Sequence, residues 1–263
     1  MAIINTSAIV LRRINHGETS LIVNFYTREF GKIAAIAKGA RRQKSQFAGV
    51  LDLMNYLNVV LYTKETREVQ TLSSAEYAIP FLKIQRDIEK TYLGMTMLET
   101  LRQAIIGEEP HPEVFDLLVQ SLEVLNGKST AGIETLWWFH LHLVSLLGFQ
   151  PQLHECYHCG KALQVGFFSA DTGQIHCGDC VIHQPGMIKL SNVEIRMFNY
   201  LLNTPLADVD SQAIHKTFDQ TRKTSSKQHI NKLTVTDTLV KYLRYHVEGI
   251  GTLQSLKFFT TFD

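Results

Sequence analysis

The four cysteines of this chain stand in two Cys-x-x-Cys pairs, and this spacing constrains its fold more than any other feature. The pairs are Cys156 with Cys159 and Cys177 with Cys180, and 17 residues separate them. Two short turns of this kind can each supply two thiolates to one side of a tetrahedral Zn²⁺. Four thiolates leave no open coordination position, so the spacing predicts a structural zinc ion in a module at residues 154–183.

The segment between the pairs has the pattern of a β-hairpin, with strands at residues 164–169 and 174–176 and a turn at 171–173. Two disulfides are the main alternative interpretation of the same cysteines. A thioredoxin-type redox pair is less consistent with the sequence, because neither pair follows a strand and opens a helix. Four nearby histidines could each replace a cysteine as ligand: His154, His158, His176 and His183.

The length of 263 residues suits one large domain or two to three small ones. The N-terminus lacks the basic and apolar regions of a signal peptide, and the longest apolar stretch, residues 136–149, is too short to span a bilayer. We therefore expect a cytoplasmic protein that does not enter the membrane, in a compartment where thiols stay reduced.

The first 80 residues have the alternation typical of β-strands, at residues 7–14, 20–26, 32–37, 56–63 and 68–78. Five short strands with glycine-marked turns predict a small closed barrel. The OB-fold is the commonest five-stranded barrel, and an SH3-like barrel is the alternative.

From residue 84 onward the apolar spacing changes to three and four residues, which predicts helices at 84–105, 113–126, 131–147, 192–203, 211–219 and 231–248. A capping box at residues 191–194 begins the fourth of these helices. The expected fold is α+β: an OB-fold domain at 1–80 and a helical domain at 81–153 and 184–263, with the zinc-ribbon-like module at 154–183 as an insertion.

A basic segment follows the third predicted strand. Residues 1–80 contain 10 lysines and arginines against 6 acidic residues, whereas residues 81–150 contain 5 against 9. In the first domain, residues 38–44 contribute four cations: Lys38, Arg41, Arg42 and Lys44. Such a loop at the rim of a barrel could neutralise several phosphates, and a plain solvated loop is the alternative.

Other residue patterns give weaker indications of function. Tyr26, Phe30 and Phe47 could stack on bases, although barrel aromatics are more often core residues. Trp137 and Trp138 are interpreted as helix-packing residues, with a peptide-binding groove as the alternative. Residues 125–130 lack the first glycine of a P-loop and follow a helix, so they are not a nucleotide site. The sequence contains no His-Glu-x-x-His motif, no Gly-x-Ser-x-Gly motif and no Asp-x-Asp-type cluster, and we expect no catalytic residues.

Four N-terminal stretches resemble the bacterial RecO family of DNA repair proteins. They are residues 8–13 (AIVLRR), 17–21 (GETSL), 25–32 (FYTREFGK) and 37–42 (AKGARR). The order of barrel, helical domain and inserted Cys-x-x-Cys pairs agrees with the family along the whole chain. The resemblance implies a recombination mediator of the RecF pathway. Such a protein binds single- and double-stranded DNA, anneals strands coated with single-strand-binding protein, and acts with RecR to load RecA at the nucleoid.

The resemblance also implies roles for individual residues. Lys38, Arg41 and Arg42 match positions expected to contact DNA, and Arg13, Arg28 and Lys44 are weaker candidates. The four cysteines match the zinc-bearing members of the family. The segment 249–253 is less basic than many family C-termini. A basic cleft for the acidic tail of single-strand-binding protein is a hypothesis based on charge alone: Lys216, Arg222, Lys223 and Lys227.

Two other classes of function stay open from the sequence. A protein-interaction adaptor whose barrel binds peptide is one, although the net charge of +4 on the barrel disfavours it. A DNA-processing enzyme is the other, and it would need an open metal position or clustered carboxylates.

Overall fold

The computed structural model describes residues 2–107, 109–127, 132–181, 186–210, 214 and 230–261. The described residues form two compact units. The first contains the chain up to Asn126 together with the segment from Leu253 onward, and the second runs from Gly127 to Thr252. The domain limits expected from the sequence, at residues 80, 153 and 183, stay predictions.

Five strands close into a barrel in the order β1-β2-β3-β5-β4, which confirms the predicted N-terminal barrel of an α+β fold. They are β1 (Ala2–His16), β2 (Ser20–Thr27), β3 (Gly31–Ala37), β4 (Tyr56–Thr63) and β5 (Val69–Ile79). Strand β1 is the longest because it pairs with β4 through its first half and with β2 through its second half. A bulge between Val10 and Arg12 lies where β1 passes from one partner to the other.

The barrel interior is filled by the inward-facing residues of all five strands, as the period-two alternation predicts. The connection between β3 and β4, residues 38–55, also contributes to this core. Phe47 and Leu51, which lie in that connection, are 5% and 1% exposed. The connection is therefore anchored to the barrel rather than extended into solvent.

Three helices follow the barrel in the first unit: α1 (Leu82–Gln85), α2 (Ile88–Ala104) and α3 (Pro112–Asn126). The single helix expected at 84–105 is broken at Asp87, whose backbone is extended and whose carboxylate accepts a hydrogen bond from the amide of Lys90. An aspartate in this position stabilises a helix start more than it stabilises a helix interior. A 3-10 helix, Gln254–Thr261, packs against α2 in the same unit.

The second unit contains α4 (Ile133–Leu146), α5 (Asn192–Asn203), a 3-10 turn (Leu206–Asp208) and α6 (Lys232–His246). The capping box at Ser191 and Glu194 is present at the start of α5. The helix expected at 211–219 lies, apart from Ile214, outside the described residues.

The two tryptophans of α4 are buried and hydrogen-bonded. The indole of Trp137 donates to the hydroxyl of Thr236, and the indole of Trp138 donates to the carbonyl of Thr204, both at 2.9 Å. Their role is helix packing, as interpreted from the sequence.

The cysteine-rich segment contains a three-stranded sheet in the order β7-β6-β8. The strands are β6 (Val165–Ser169), β7 (Gln174–His176) and β8 (Ile188–Ser191). The hairpin of β6 and β7 matches the expectation. Strand β8 was not expected, because its four residues run directly into α5 and have no turn signal of their own.

Candidate nucleic-acid interface and metal centre

The basic loop, defined as residues 38–44, begins the connection from β3 to β4. It is built from successive tight turns, with backbone hydrogen bonds from Arg42 to Gly39 and from Ser45 to Arg42. Gly39 has a φ of 69°, a conformation that glycine adopts without a steric penalty. Because Phe47 is held in the barrel core, the loop has a fixed base from which its side chains extend outward.

Arg41 joins the basic loop to the turn between β1 and β2. Its backbone amide donates to the carbonyl of Thr19 at 2.8 Å. Its guanidinium donates to the carbonyl of Ser20 at 3.3 Å and to that of Gly17. Some of the N–H donors of Arg41 therefore hold the basic loop beside the turn between β1 and β2.

Three cations of the basic loop extend into solvent: Lys38, Arg42 and Lys44 are all exposed. In the described part of the chain, no carboxylate forms an ion pair with any of them. The side chain of Arg42 folds over Gly39, where an added Cβ would lie 3.4 Å from Cδ of Arg42. These three side chains are the basic-loop groups most available to an anion.

Arg13 and Arg28 already have acidic partners. Arg13 pairs with Asp52, and Arg28 donates two hydrogen bonds of 2.9 Å to the carboxylate of Asp116 on α3. The hydrogen bonds and charge of Asp116 raise the pKa of Arg28 above its ordinary value. A phosphate would have to compete with these carboxylates. The DNA-contacting role of all six cations stays a prediction.

The aromatic residues considered for base stacking occupy different environments. Tyr26 is fully buried, with its ring centroid 6.0 Å from that of Phe115, and burial raises its pKa. Phe47 belongs to the barrel core. Phe30 is 41% exposed and is the one candidate of the three with an accessible ring face.

The four cysteines converge on one point in the second unit. Cys156 and Cys159 lie in the turn before β6, and Cys177 and Cys180 lie in the turn after β7. All four sulfur atoms lie within 4.8 Å of one another. Gly160, with a φ of 67°, closes the first turn by donating its amide to the carbonyl of Cys156 at 2.8 Å.

The sulfur geometry fits a tetrahedral metal site. Four sulfurs at about 2.3 Å from a common zinc ion would lie about 3.8 Å from one another. The Sγ atoms of Cys159 and Cys177 are 3.8 Å apart. A disulfide would require about 2.05 Å, and all four cysteines are free. The group is thus compatible with a metal ion.

The electrostatic environment favours thiolate at Cys156. Burial alone would raise the pKa of its thiol, but hydrogen bonds from the backbone of Cys177, Cys159 and His158 lower the pKa to about 6. The amide of Cys177 lies 3.3 Å from the sulfur. Conversely, hydrogen bonds to Cys159 and Cys177 raise the pKa of Cys180 to about 12. Binding a cation here would therefore displace a proton.

The sequence did not indicate the polar groups around these cysteines. Lys161 pairs with Asp179 at 3.2 Å, and Asp179, followed by Cys159 and Cys177, raises the pKa of Lys161. His154 instead pairs with Glu155 at 3.2 Å. In the described residues, the only cluster of potential metal ligands is the four cysteines.

Some expected groups lie outside the described residues: His183, and the proposed cleft cations Lys216, Arg222, Lys223 and Lys227. None of the helices in the described residues is both long and apolar enough to cross a membrane.

Comparison with known proteins gave matches along nearly the whole chain. Residues 1–81 match the family model described as recombination protein O N terminal, and residues 85–256 match the one described as recombination protein O C terminal.

Three relatives show the range of similarity, and each is called DNA repair protein RecO. The Chloroherpeton thalassium protein is 40% identical over 158 residues, 60% of this chain and 61% of that protein. The Chlorobium phaeobacteroides protein is 35% identical over 188 residues, 72% of this chain and 70% of that protein. The Acetivibrio thermocellus protein is 25% identical over 246 residues, 93% of this chain and 97% of that protein.

The chain spans less than two thirds of the Chloroherpeton protein in that alignment. The two family models nevertheless match most of this chain, one on each side of residue 83. The chain belongs to the recombination protein O (RecO) family.

Proposed function

We propose that this protein binds single- and double-stranded DNA through the basic loop and acts as a recombination mediator in DNA repair. The observation that carries the proposal is the exposure of Lys38, Arg42 and Lys44 on a loop anchored in the barrel core. Family membership supports a role in DNA repair and recombination.

The proposed mechanism is electrostatic. Each phosphate neutralised by a basic-loop cation releases condensed counterions, which favours binding at low salt. Arg41 acts mainly as a positioning residue, since its bonds to the carbonyls of Gly17 and Ser20 hold the loop in place. Two DNA strands held on one basic surface repel each other less than two free DNA strands do, and this favours annealing. No step of this mechanism needs a catalytic residue.

The partners proposed for this role are those of a mediator. We propose that the protein anneals strands coated with single-strand-binding protein and acts with RecR to promote loading of RecA. It would do so in the cytoplasm, at the nucleoid.

We also propose that the four cysteines hold a structural zinc ion. The sulfur distances and the lowered pKa of Cys156 support this assignment. The ion would cross-link the turn before β6 to the turn after β7.

The decisive test is the salt dependence of DNA affinity, combined with an annealing assay on DNA coated with single-strand-binding protein. A Lys38/Arg42/Lys44→Ala triple variant should reduce the slope of log K against log salt by about 2 for single strands, at about 0.7 per lost contact. Strand annealing by the triple variant should decrease together with its DNA affinity.

A matched control replaces three exposed cations away from the loop: Lys64, Lys83 and Arg86. This control should leave the slope unchanged. Equal slopes for the triple variant and the wild type would refute the basic loop as the DNA site. DNA binding too weak to detect at low salt would favour the adaptor alternative.

A further inference from the structure

Strand β3 has a free edge over its first half. It pairs with β2 along its whole length, but β5 pairs with it only from Ala34 to Ile36. Within the described ranges, no strand pairs with residues 31–33 on the β5 side. Gly31 is buried and its carbonyl accepts a hydrogen bond from the hydroxyl of Thr27, whereas Lys32 and Ile33 are partly exposed. The backbone of residues 32–33 is therefore the part of this edge to which another extended segment can add.

A cavity of about 530 Å³ opens beside this edge, between β3 and the turn that joins β4 to β5. Its lining contains apolar residues, namely Ile4, Phe30, Ile33, Ala34 and Pro110. Three carboxylates also line it: Glu29, Glu65 and Glu68. Two cations also line the cavity. The ammonium of Lys32 donates to the carbonyls of Arg102, in the last turn of α2, and of Ile105, the residue after α2. Lys64 is the second cation.

A second cavity, of about 400 Å³, meets the first at Glu29. Its lining is mostly polar and includes Asn5, Ser7, Asn58, Ser74 and Glu76. The hydroxyl of Thr6, a residue that is 7% exposed, donates a hydrogen bond to the carboxylate of Glu29. The carboxylate at the junction is therefore held in position by a buried donor. The two cavities together are called the barrel groove.

An exposed apolar side chain lies beside the first cavity. It is Val69, the partner of the lining residue Ala34 on β5. A partner segment with apolar side chains at alternate positions could pack against Val69 and the apolar lining of the cavity.

We propose that the barrel groove docks an extended segment of another protein that carries lysine or arginine between apolar residues. Its backbone adds to residues 32–33 of β3. One cation of the segment pairs with Glu68, which has no ion-pair partner in the described residues, whereas Glu29 already lies 3.9 Å from the guanidinium of Arg28. The carboxylates that line the groove favour a positively charged partner, because they attract a cationic peptide and repel DNA.

This interface goes beyond the proposed DNA binding and is spatially separate from it. The first cavity, where the segment adds to β3, lies at the first residues of that strand, and the basic loop follows its last residue. A seven-residue strand is about 20 Å long. The protein could therefore hold DNA and a protein partner at the same time.

The test uses two seven-residue probe peptides, one alternating valine with lysine and the other alternating valine with glutamate. Binding to the full-length ¹⁵N-labelled protein is followed by amide chemical shifts and hydrogen exchange. We expect the lysine peptide to shift resonances of residues 29–34 and 63–70 and to slow amide exchange at residues 32–33. The glutamate peptide should not bind.

Replacing Glu65 or Glu68 by Gln should weaken binding of the lysine peptide about threefold each, as expected for exposed charge pairs. The control Glu123→Gln changes an exposed carboxylate of α3 outside the groove lining and should have no effect. None of these variants should change DNA affinity appreciably, which separates failure of this proposal from failure of the DNA-binding proposal.

Shifts confined to other surfaces, or equal binding of the two peptides, would overturn the proposal. Self-association without peptide that is lost in Glu68→Gln would also overturn it, because the groove would then bind a second copy of this chain.

Discussion

The carboxylate of Glu99 on α2 accepts the backbone amide of Ser255 at 2.9 Å, and its other oxygen accepts the amide of Gln254 at the same distance. Glu99 is 8% exposed and Ser255 is 9% exposed. One buried carboxylate thus satisfies two amides at the start of the C-terminal 3-10 helix, where no intrahelical acceptor exists.

Replacing Glu99 by Ala should destabilise the protein by about 1–3 kcal/mol, because the buried amide of Ser255 and the amide of Gln254 lose their acceptor. Glu99→Gln should cost less, since its amide oxygen can still accept one hydrogen bond. Urea unfolding measures both values, and hydrogen exchange at residues 254–256 should accelerate. Glu123→Gln, on the exposed side of α3, is the control and should change stability by less than about 0.5 kcal/mol. Unchanged exchange in Glu99→Ala would contradict the assignment.

The pairing of Arg28 with Asp116 predicts unequal roles for the basic residues. Arg42→Ala should lower the salt slope of single-strand binding by about 0.7, because Arg42 has no carboxylate partner in the described residues. Arg28→Ala should leave the slope nearly unchanged, since Asp116 already neutralises this charge.

Asp116→Asn provides the complementary measurement. It releases Arg28 and should raise DNA affinity at low salt, provided that Arg28 can reach the DNA. A larger loss of affinity in Arg28→Ala than in Arg42→Ala would show that the Asp116 pair opens on binding.

Replacing Cys156 or Cys159 by Ser should release the proposed zinc ion and lower the free energy of unfolding by at least about 2 kcal/mol. DNA affinity of the folded fraction should persist, because the basic loop is in the other compact unit. Metal analysis and urea unfolding are the measurements. Tyr157→Phe, in the same turn, is the matched control and should retain the metal. A fully folded Cys159→Ser protein without DNA binding would contradict a purely structural role.

Gly173 lies against Tyr242 of α6. An added Cβ at Gly173 would lie 2.4 Å from the Tyr242 hydroxyl, and the φ of Gly173 is 70°. Gly173→Ala should therefore cost about 1–3 kcal/mol in unfolding free energy. Tyr242→Phe alone should cost about 0.5–1.5 kcal/mol, because the hydroxyl donates to the carbonyl of Phe149 at 3.0 Å.

The double variant should cost less than the sum of the two single variants, because removing the hydroxyl relieves part of the clash. A double-mutant cycle by urea unfolding measures this coupling. Strict additivity would mean that the two residues do not meet in solution.

Burial lowers the pKa of His140 from 6.5 to about 3. As the pH falls below 6.5, the unfolded chain takes up a proton at this residue and the folded chain does not. The contribution of His140 to the stability of the folded state is complete above pH 6.5 and is lost progressively toward pH 3. When the pH is lowered from 7.5 to 5.5, His140 alone should reduce the free energy of unfolding by about 1.4 kcal/mol.

Burial also lowers the pKa of His142, so its contribution has the same sign. Urea unfolding at the two pH values should show a smaller difference in His140→Leu than in the wild type. His16→Gln, at an exposed position of β1, should retain the wild-type difference. An equal pH dependence in His140→Leu would contradict this account.

Several helices and strands could be predicted from the sequence, because the residues that indicate them are close together in the chain. The alternation of apolar residues predicted the five strands, and Ser191 with Glu194 predicted the start of α5. The break at Asp87 and the short strand β8 were not predicted. The first depends on a capping bond that competes with helix propagation, and the second pairs with β6 across a gap in sequence.

Some features of the candidate site could likewise be predicted from the sequence, and others could not. Cys-x-x-Cys spacing is a property of neighbouring residues, so the sequence alone determined which four groups could meet at a metal and which seven-residue segment is basic. Only the tertiary structure decided which cations are available, since Asp116 reaches Arg28 across 88 residues of sequence. The physical reason is that charge is a property of a residue, whereas its neutralisation depends on which distant chain segments the folded core brings together.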